Sequence, residues 1–398
     1  MLFIAFLFSE AKRAINVRTV LCALAVQAGI AALALYVPLG KSLLAGAVGG
    51  VQAAMDLANN GVTFVFGPLA SNQIGFIFAF RVLPVIVIVS SLMSVLYYLK
   101  IMPMIVKFVG GLLKLVIGTT RVESLYAASH IFVGPIEAAL SIKPYLKVVT
   151  RSELFALMTV GLSAVSGAIL VGYAGLGVRL DYLIAAAFMA PAGGLVMAKI
   201  LVPERAKREE SATAVDTSAF GDEQRPANVV EAAANGAAEG AQLAINVGAM
   251  LIAFVALVAI LNGLFSALGS LFGYPQLTLE RILGYLLSPL MILLGIPAGH
   301  EAQMAANLVG QKTILNEFIA FAHFAPLKDT LSPHTQAVIT FALCGFANLN
   351  ALAIVFGGLG GLVPERKHEI ARMGWQALLG GALANLMSAA LASILLSP

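Results

Sequence analysis

Residues 120–147 read TRVESLYAASHIFVGPIEAALSIKPYLK, two apolar arms parted by Gly134 and Pro135, with the carboxylate of Glu137 just beyond the break. Glycine accepts dihedrals that other residues avoid. Proline lacks the donor that a continuing helix needs, yet suits a helix's first turn. The pattern therefore predicts one helix that ends before Gly134 and another that begins at Pro135. Such a break frees polar backbone groups, which are tolerated at membrane depth only where protein or a water-lined cavity satisfies them, and in carriers these sites often bind the solute. Residues 120–147 thus read as a helical hairpin dipping into the membrane, with Glu137 as a candidate solute contact. The competing readings of Glu137 are a loop carboxylate between two short helices and a partner in a structural ion pair.

The surrounding chain supplies the membrane. Of 398 residues, 60% are hydrophobic and 11% charged, and the mean hydropathy is +0.94, against the roughly 45–50% apolar and about 25% charged of soluble domains. No Lys, Arg, Asp or Glu occurs in residues 19–40, 57–80, 82–99, 154–178, 182–198, 240–279, 282–300, 330–364 or 373–398. Several of these runs exceed the roughly 20 residues that carry a helix across a bilayer core. A transmembrane β-barrel would need strands of alternating polarity, which stretches such as YLIAAAFMAPAGGLVMA lack. A net charge of only +4 argues against a nucleic-acid partner, since no field is large enough to gather phosphates. Cys22 and Cys344 stand far apart in apolar surroundings and read as buried small hydrophobes.

The expected fold is an all-α polytopic membrane protein. Full spans are predicted near 19–38, 74–98, 153–178, 182–203, 240–267, 333–358 and 372–396, and an abbreviated first helix in MLFIAFLFSE brings the number of spanning segments to eight. That short helix suggests a start assigned too far downstream. Positive charge follows the stretch instead of preceding it, which fits a signal peptide poorly. Short-loop basic residues at Lys12, Arg13 and Arg18, at Lys100 and Lys107, at Arg205, Lys207 and Arg208, and at Arg366, Lys367 and Arg372 mark the cytosolic side. Residues 204–231 hold 11 of the 44 charged residues in 28 positions, so they read as an extramembrane connector. The expected organisation is 1–115 for the N-terminal scaffold and interfacial helices, 116–203 for the first hairpin and its following spans, 204–238 for the connector, and 239–398 for the second half.

A second hairpin is predicted over 281–328, with its tip at the IPAGHE break, where Pro297, Gly299, His300 and Glu301 cluster, and its second arm carrying Glu317. A carboxylate in NEFIAF is costly unless paired, protonated or hydrated, so Glu317 is a functional candidate. Asn348 lies in a charge-free run and needs a hydrogen-bonding partner. It reads either as a ligand contact or as a helix-packing bond. The acidic arm, following proline and later apolar span ending in LG occur in both halves, an internal repeat of the sort built into secondary carriers. Two carboxylates and an amide suit a neutral polyhydroxyl solute, and Phe346 offers a face to a planar base. Enzyme readings lack a motif: there is no HExxH, no GxSxG and no GxxxxGK[ST]. An intramembrane hydrolase using the two carboxylates as acid and base has no nucleophile placed beside them.

Over residues 2–396 the chain resembles the bacterial concentrative nucleoside transporter family. The resemblance is carried by TFVFG at 63–67, FVGPIEA and KPYL in the first hairpin, K-x-x-x-NEFIA from Lys312 to Ala320, and GFAN at 345–348. It implies a homotrimer in the bacterial inner membrane, eight transmembrane helices, two opposed re-entrant hairpins, an interfacial helix at 43–60 and an inverted-repeat transport core. It further implies cation-driven nucleoside import by alternating access, with no cofactor beyond the coupling ion, H+ or Na+. By position, Glu317 and Asn348 resemble the residues that hold the ribose hydroxyls, while Glu137 resembles the first-hairpin carboxylate at the nucleoside site, with Phe346 beside it. The family's hairpin usually has Gly-Gln-Thr-Glu or Gly-Gln-Ser-Glu where this chain has Gly134, Pro135, Ile136 and Glu137. Two polar base contacts are therefore missing. Together with Asn350 and Ala351, where small hydroxyl residues are usual, this leaves a related glycoside open as cargo. In the family's sodium site an asparagine and a hydroxyl residue are replaced by His130 and Ala164. Carbonyls near Val133 and Val165 remain, so the expected ion is the proton, with sodium as the alternative and a packing role for His130 also open.

Overall fold

The computed structural model describes residues 1–70, 77–205 and 226–396, and these are helical with no strand among them. In chain order the helices are α1 (Leu2–Leu7), α2 (Val17–Leu35), α3 (Pro38–Phe66), α4 (Phe78–Arg81), α5 (Leu83–Tyr98), α6 (Ile101–Ile117), α7 (Arg121–His130), α8 (Pro135–Leu140) and α9 (Arg151–Ser163). They continue with α10 (Gly167–Gly175), α11 (Leu180–Leu201), α12 (Val229–Leu271), α13 (Leu279–Leu293), α14 (His300–Ile314), α15 (Glu317–Leu327), α16 (Pro333–Leu343), α17 (Leu349–Leu362) and α18 (Lys367–Leu396). Among the described residues, four helical stretches are long and apolar enough to cross a membrane: Val17–Leu35, Phe78–Tyr98, Leu180–Leu201 and Pro364–Leu396.

Local chemistry sets the boundaries. Thr120 with Glu123 and Thr150 with Glu153 form capping boxes that start α7 and α9, each satisfying two otherwise orphaned backbone donors. Gly118, at φ 76°, closes α6 in the left-handed region, which glycine enters without steric cost. The side chains of Asn228 and Ser332 cap α12 and α16.

Burial separates an inner group of helices from an outer one. In α9 every residue from Ser152 to Ser163 is buried, and so is almost all of α11. A helix apolar on all sides is expected to be a core helix. Here α11 packs on α2, α9 and α18, and α18 packs on α9 and α16. The most extensive helix pair lies outside that group, between α5 and α12. There Gly236 and Gly240 admit close approach: a methyl at Gly236 would lie 2.5 Å from Ser94 Cβ and one at Gly240 2.8 Å from Val87 Cα.

The two halves repeat. A long helix, α6 or α13, packs along the first arm of a hairpin, α7 or α14. A break and a second arm, α8 or α15, come next, then two half-helices, α9–α10 or α16–α17, and a long core helix, α11 or α18. The outer ends of the hairpins are tied across the repeats: Lys328 donates to the Gly177 carbonyl at 2.7 Å, and Arg366 to those of Val149 at 2.6 Å and Leu146 at 3.3 Å.

Four expectations need correction. The second hairpin does not turn at IPAGHE. Gly295 and Gly299, both at positive φ, do end a helix there, but the break joins the antiparallel pair α13 and α14, and the hairpin proper breaks at Leu315 and Asn316. Within the misplaced tip, Glu301 accepts from Ser332 N at 3.2 Å and Ser332 Oγ at 2.8 Å, so it secures the start of α16, and His300 is exposed. The runs 153–178 and 333–358 are not continuous helices: each divides, at Ala164–Ser166 and Cys344–Asn348. The helix expected at 43–60 extends over Pro38–Phe66. Finally, α12 begins at Val229, within the stretch assigned to the connector. Positions 206–225 of that connector, and 74–76 of the span placed at 74–98, lie outside the described residues.

Candidate functional site

The site is assembled from helix ends. Asn316, the N-cap of α15, accepts from Ile319 N at 2.9 Å and so starts the helix one residue before Glu317. The Glu317 carboxylate is only 4% exposed, in surroundings where an unpartnered charge costs several kcal/mol. Its Oε1 accepts from the Tyr173 hydroxyl of α10 at 2.9 Å, and its Oε2 from Asn348 Nδ2 at 2.7 Å. Asn348 also serves α17 as N-cap, its Oδ1 accepting from Ala351 N at 2.7 Å. The amide can do both because it carries a donor at one end and an acceptor at the other. Phe318 and Phe321 flank the Tyr173 ring at centroid separations of 4.7 and 4.5 Å, fixing the direction of its hydroxyl.

The first hairpin contributes a more open face. Glu137, in the first turn of α8, is exposed, and its carboxylate folds back against Gly134, where there is no side chain to exclude it. The arm is held down by Tyr126, whose hydroxyl donates to the Pro135 carbonyl at 3.3 Å, and α8 packs on α17, where Gly358 leaves room for Ile136. Phe346 sits in the non-helical turn between α16 and α17, half-buried, with its ring centroid 6.4 Å from that of His130. Its backbone N donates across the repeats to the Ala164 carbonyl at 3.4 Å.

His130 closes α7 and is fully buried. Its Nδ1 lies 3.0 Å from the Val133 carbonyl oxygen and its Nε2 3.0 Å from that of Gly161. A neutral imidazole carries one N–H and an imidazolium two, so only the charged ring can donate to both carbonyls. Val165 is buried in the α9–α10 break. Among the described residues, no three His, Cys, Asp or Glu side chains form a metal-holding group.

Of the residues singled out in the sequence, Glu317 and Asn348 are brought into direct contact, and His130 is brought to Val133 and Phe346. Two participants were missed. Tyr173 reads as one aromatic among many in an apolar run. Lys312 was noticed only within its motif, although a lone cation five residues before Glu317 was a usable signal. Its Nζ donates to Asn385 Oδ1 at 2.6 Å and to the Ala342 carbonyl at 3.2 Å.

Family models cover nearly the whole chain: one described as the C-terminus of Na+ dependent nucleoside transporters matches residues 182–393, its N-terminal counterpart matches 1–69, and one described as nucleoside recognition matches 79–180. An uncharacterized transporter of Haemophilus influenzae is 48% identical, over 98% of this chain and 94% of its own. The nucleoside permease NupC of Helicobacter pylori is 46% identical, again over 98% and 94%. The solved structure of CNTnw in an inward-facing substrate-bound state superposes with a TM-score of 0.93 at 46% identity, covering 99% of this chain and 95% of that one. These are transporters and permeases, not enzymes, and the chain belongs to the Na+ dependent nucleoside transporter family.

Proposed function

We propose that this protein is a secondary active symporter that imports nucleosides across the bacterial inner membrane by alternating access. The observation that carries the reading is the buried Glu317 carboxylate, braced by Tyr173 and Asn348 where three helix ends meet. A carboxylate oxygen has lone pairs to spare after accepting one bond, so Glu317 can still accept from ribose hydroxyls while Asn348 stays beside it. Glu137 of the first hairpin and Phe346 of the α16–α17 turn face the base. The core bearing both hairpins is the moving part, and the α5–α12 pair stands with the static frame of a homotrimer.

Thermal melting of the detergent-solubilised protein with nucleosides, free bases and sugars tests the substrate class, because a ligand that binds only the folded state raises its stability. Stabilisation by uridine or adenosine is expected. No response to any nucleoside, with a clear response to another solute class, refutes the reading. Pro135 and Ile136, standing where polar base contacts are usual, favour a related glycoside as the second reading, which the same screen separates.

For the coupling ion we favour the proton. His130 engages the Val133 and Gly161 carbonyls through both ring nitrogens, an arrangement that suits an imidazolium. Uptake into membrane vesicles is expected to follow an imposed pH gradient. Uptake that follows a sodium gradient and ignores pH establishes sodium instead.

A further inference from the structure

The repeat places a nitrogen-bearing side chain at matching positions in its two halves. In the first, His130 at the end of α7 reaches the Gly161 carbonyl near the end of α9. In the second, Lys312, near the end of α14, reaches the Ala342 carbonyl near the end of α16. The Lys312 residue is 2% exposed. A buried ammonium is costly unless its protons find acceptors and its charge finds compensation. The acceptors here are a backbone carbonyl and an amide oxygen, Asn385 Oδ1 at 2.6 Å. Compensation comes from the C-terminal end of α16, where unpaired carbonyls carry partial negative charge. A neutral carbonyl oxygen at a helix C-terminus is the kind of donor that discontinuous helices offer to a bound cation.

Asn385 transmits this position. While its Oδ1 accepts from Lys312, its Nδ2 donates to the Ser163 carbonyl at 2.5 Å and to the Cys344 carbonyl at 3.2 Å. One amide thereby joins the end of α9 to the end of α16. Gly345 leaves the room for it, since a side chain there would run into the Asn385 amide. Three residues later the same turn delivers Asn348 to Glu317.

We propose that Lys312 is a tethered cation. Its ammonium holds the Ala342 carbonyl at the end of α16 as a bound monovalent ion would, and through Asn385 it positions Asn348 against Glu317. Lys312 is a positioning residue, touching neither the nucleoside nor the coupling ion. Its effect on nucleoside affinity rests on the transport reading above, but its effect as a cation does not.

The test uses two variants of the full-length protein in detergent. Lys312→Met keeps the volume and removes the charge. Lys312→Ala removes both and leaves a space that methylammonium fits. Melting is followed with methylammonium chloride and with choline chloride at equal ionic strength, in the absence of nucleoside. Methylammonium is expected to raise the melting temperature of Lys312→Ala above its value in choline, and to leave the parent and Lys312→Met unmoved. Nucleoside affinity is expected to fall at least tenfold in both variants and to return with methylammonium in Lys312→Ala alone, which loosened packing would not produce. An equal response of Lys312→Ala to the two salts overturns the proposal, as does a loss of less than tenfold in Lys312→Met. If Lys312→Ala does not accumulate, Lys312→Met decides by the same tenfold criterion. A parent protein that binds no nucleoside refutes the transport reading and leaves the amine-dependent melt to judge the tethered cation.

Discussion

Asn348 combines two tasks that substitution can separate. Its Oδ1 caps α17 through Ala351 N, and its Nδ2 donates to the buried Glu317 carboxylate, both at 2.7 Å. Asn348→Ser retains an oxygen able to cap, while its shorter side chain cannot deliver a donor to Oε2. A hydrogen bond to a charged group contributes about 1.5–3 kcal/mol, and losing a cap residue to alanine costs about 0.5–2 kcal/mol. Asn348→Ser should therefore lose roughly 1.5–3 kcal/mol and Asn348→Ala roughly 2–5 kcal/mol of stability if the terms add. If Asn348 also touches the ribose, the serine variant should bind nucleoside about 10- to 150-fold more weakly, since each 1.4 kcal/mol is a factor of ten. Isothermal titration with uridine and adenosine measures the binding loss, and melting of the unliganded variants ranks their stabilities. Uridine and adenosine affinities of Asn348→Ser both within threefold of the parent would refute the assignment. Equal melting temperatures for the two variants would refute the capping half of the reasoning.

Three further outcomes follow from the same geometry. Tyr173→Phe keeps the ring against Phe318 and Phe321 but leaves Glu317 Oε1 without its hydroxyl donor, so stability should fall by about 1.5–3 kcal/mol. An arriving ribose hydroxyl can replace that donor, so nucleoside affinity should fall less than in Asn348→Ser, and paired melting and titration curves show the order. Glu301→Ala should lower the melting temperature by releasing Ser332 at the start of α16, with nucleoside affinity within twofold. A large affinity loss would return Glu301 to the binding site. Gly345→Ala forces a methyl against the Asn385 amide, and overpacking of this sort costs about 1–3 kcal/mol. It should weaken nucleoside binding as well as stability, because the turn that carries Asn348 must shift, and binding like the parent's would show that Asn385 and Asn348 are independent.

Hydropathy revealed the polar groups that matter and concealed the backbone that presents them. Glu137, Glu317 and Asn348 stood out because a carboxylate or amide in an apolar run carries a cost that calls for a partner. The division at Ala164–Ser166 stayed hidden because Ala, Val and Ser do not announce a break, and that at Cys344–Asn348 because Gly345 and Asn348 sit in an apolar run whose hydropathy reads alike whether or not its helix is continuous. The second hairpin was misplaced for the opposite reason. Pro297, Gly295 and Gly299 are conspicuous breakers and do end a helix, whereas Asn316 starts one quietly through its side-chain cap. Tyr173 was beyond reach, since nothing in its neighbours indicates which way its hydroxyl points.

The close fit between α5 and α12 has a mechanical consequence. Gly236 and Gly240 are hollows one helical turn apart, each filled by the Ser90–Ser94 side of α5. A smooth interface would let two helices creep past each other by fractions of an ångström. Here any axial slip drives a serine out of its hollow and up against the next rise of the helix, and the nearest comparable seating lies a full turn away, about 5.4 Å. The pair therefore has a notched register, held or lost as a whole. If the pair stands in the static frame proposed above, these two glycines give a moving core a datum that does not drift.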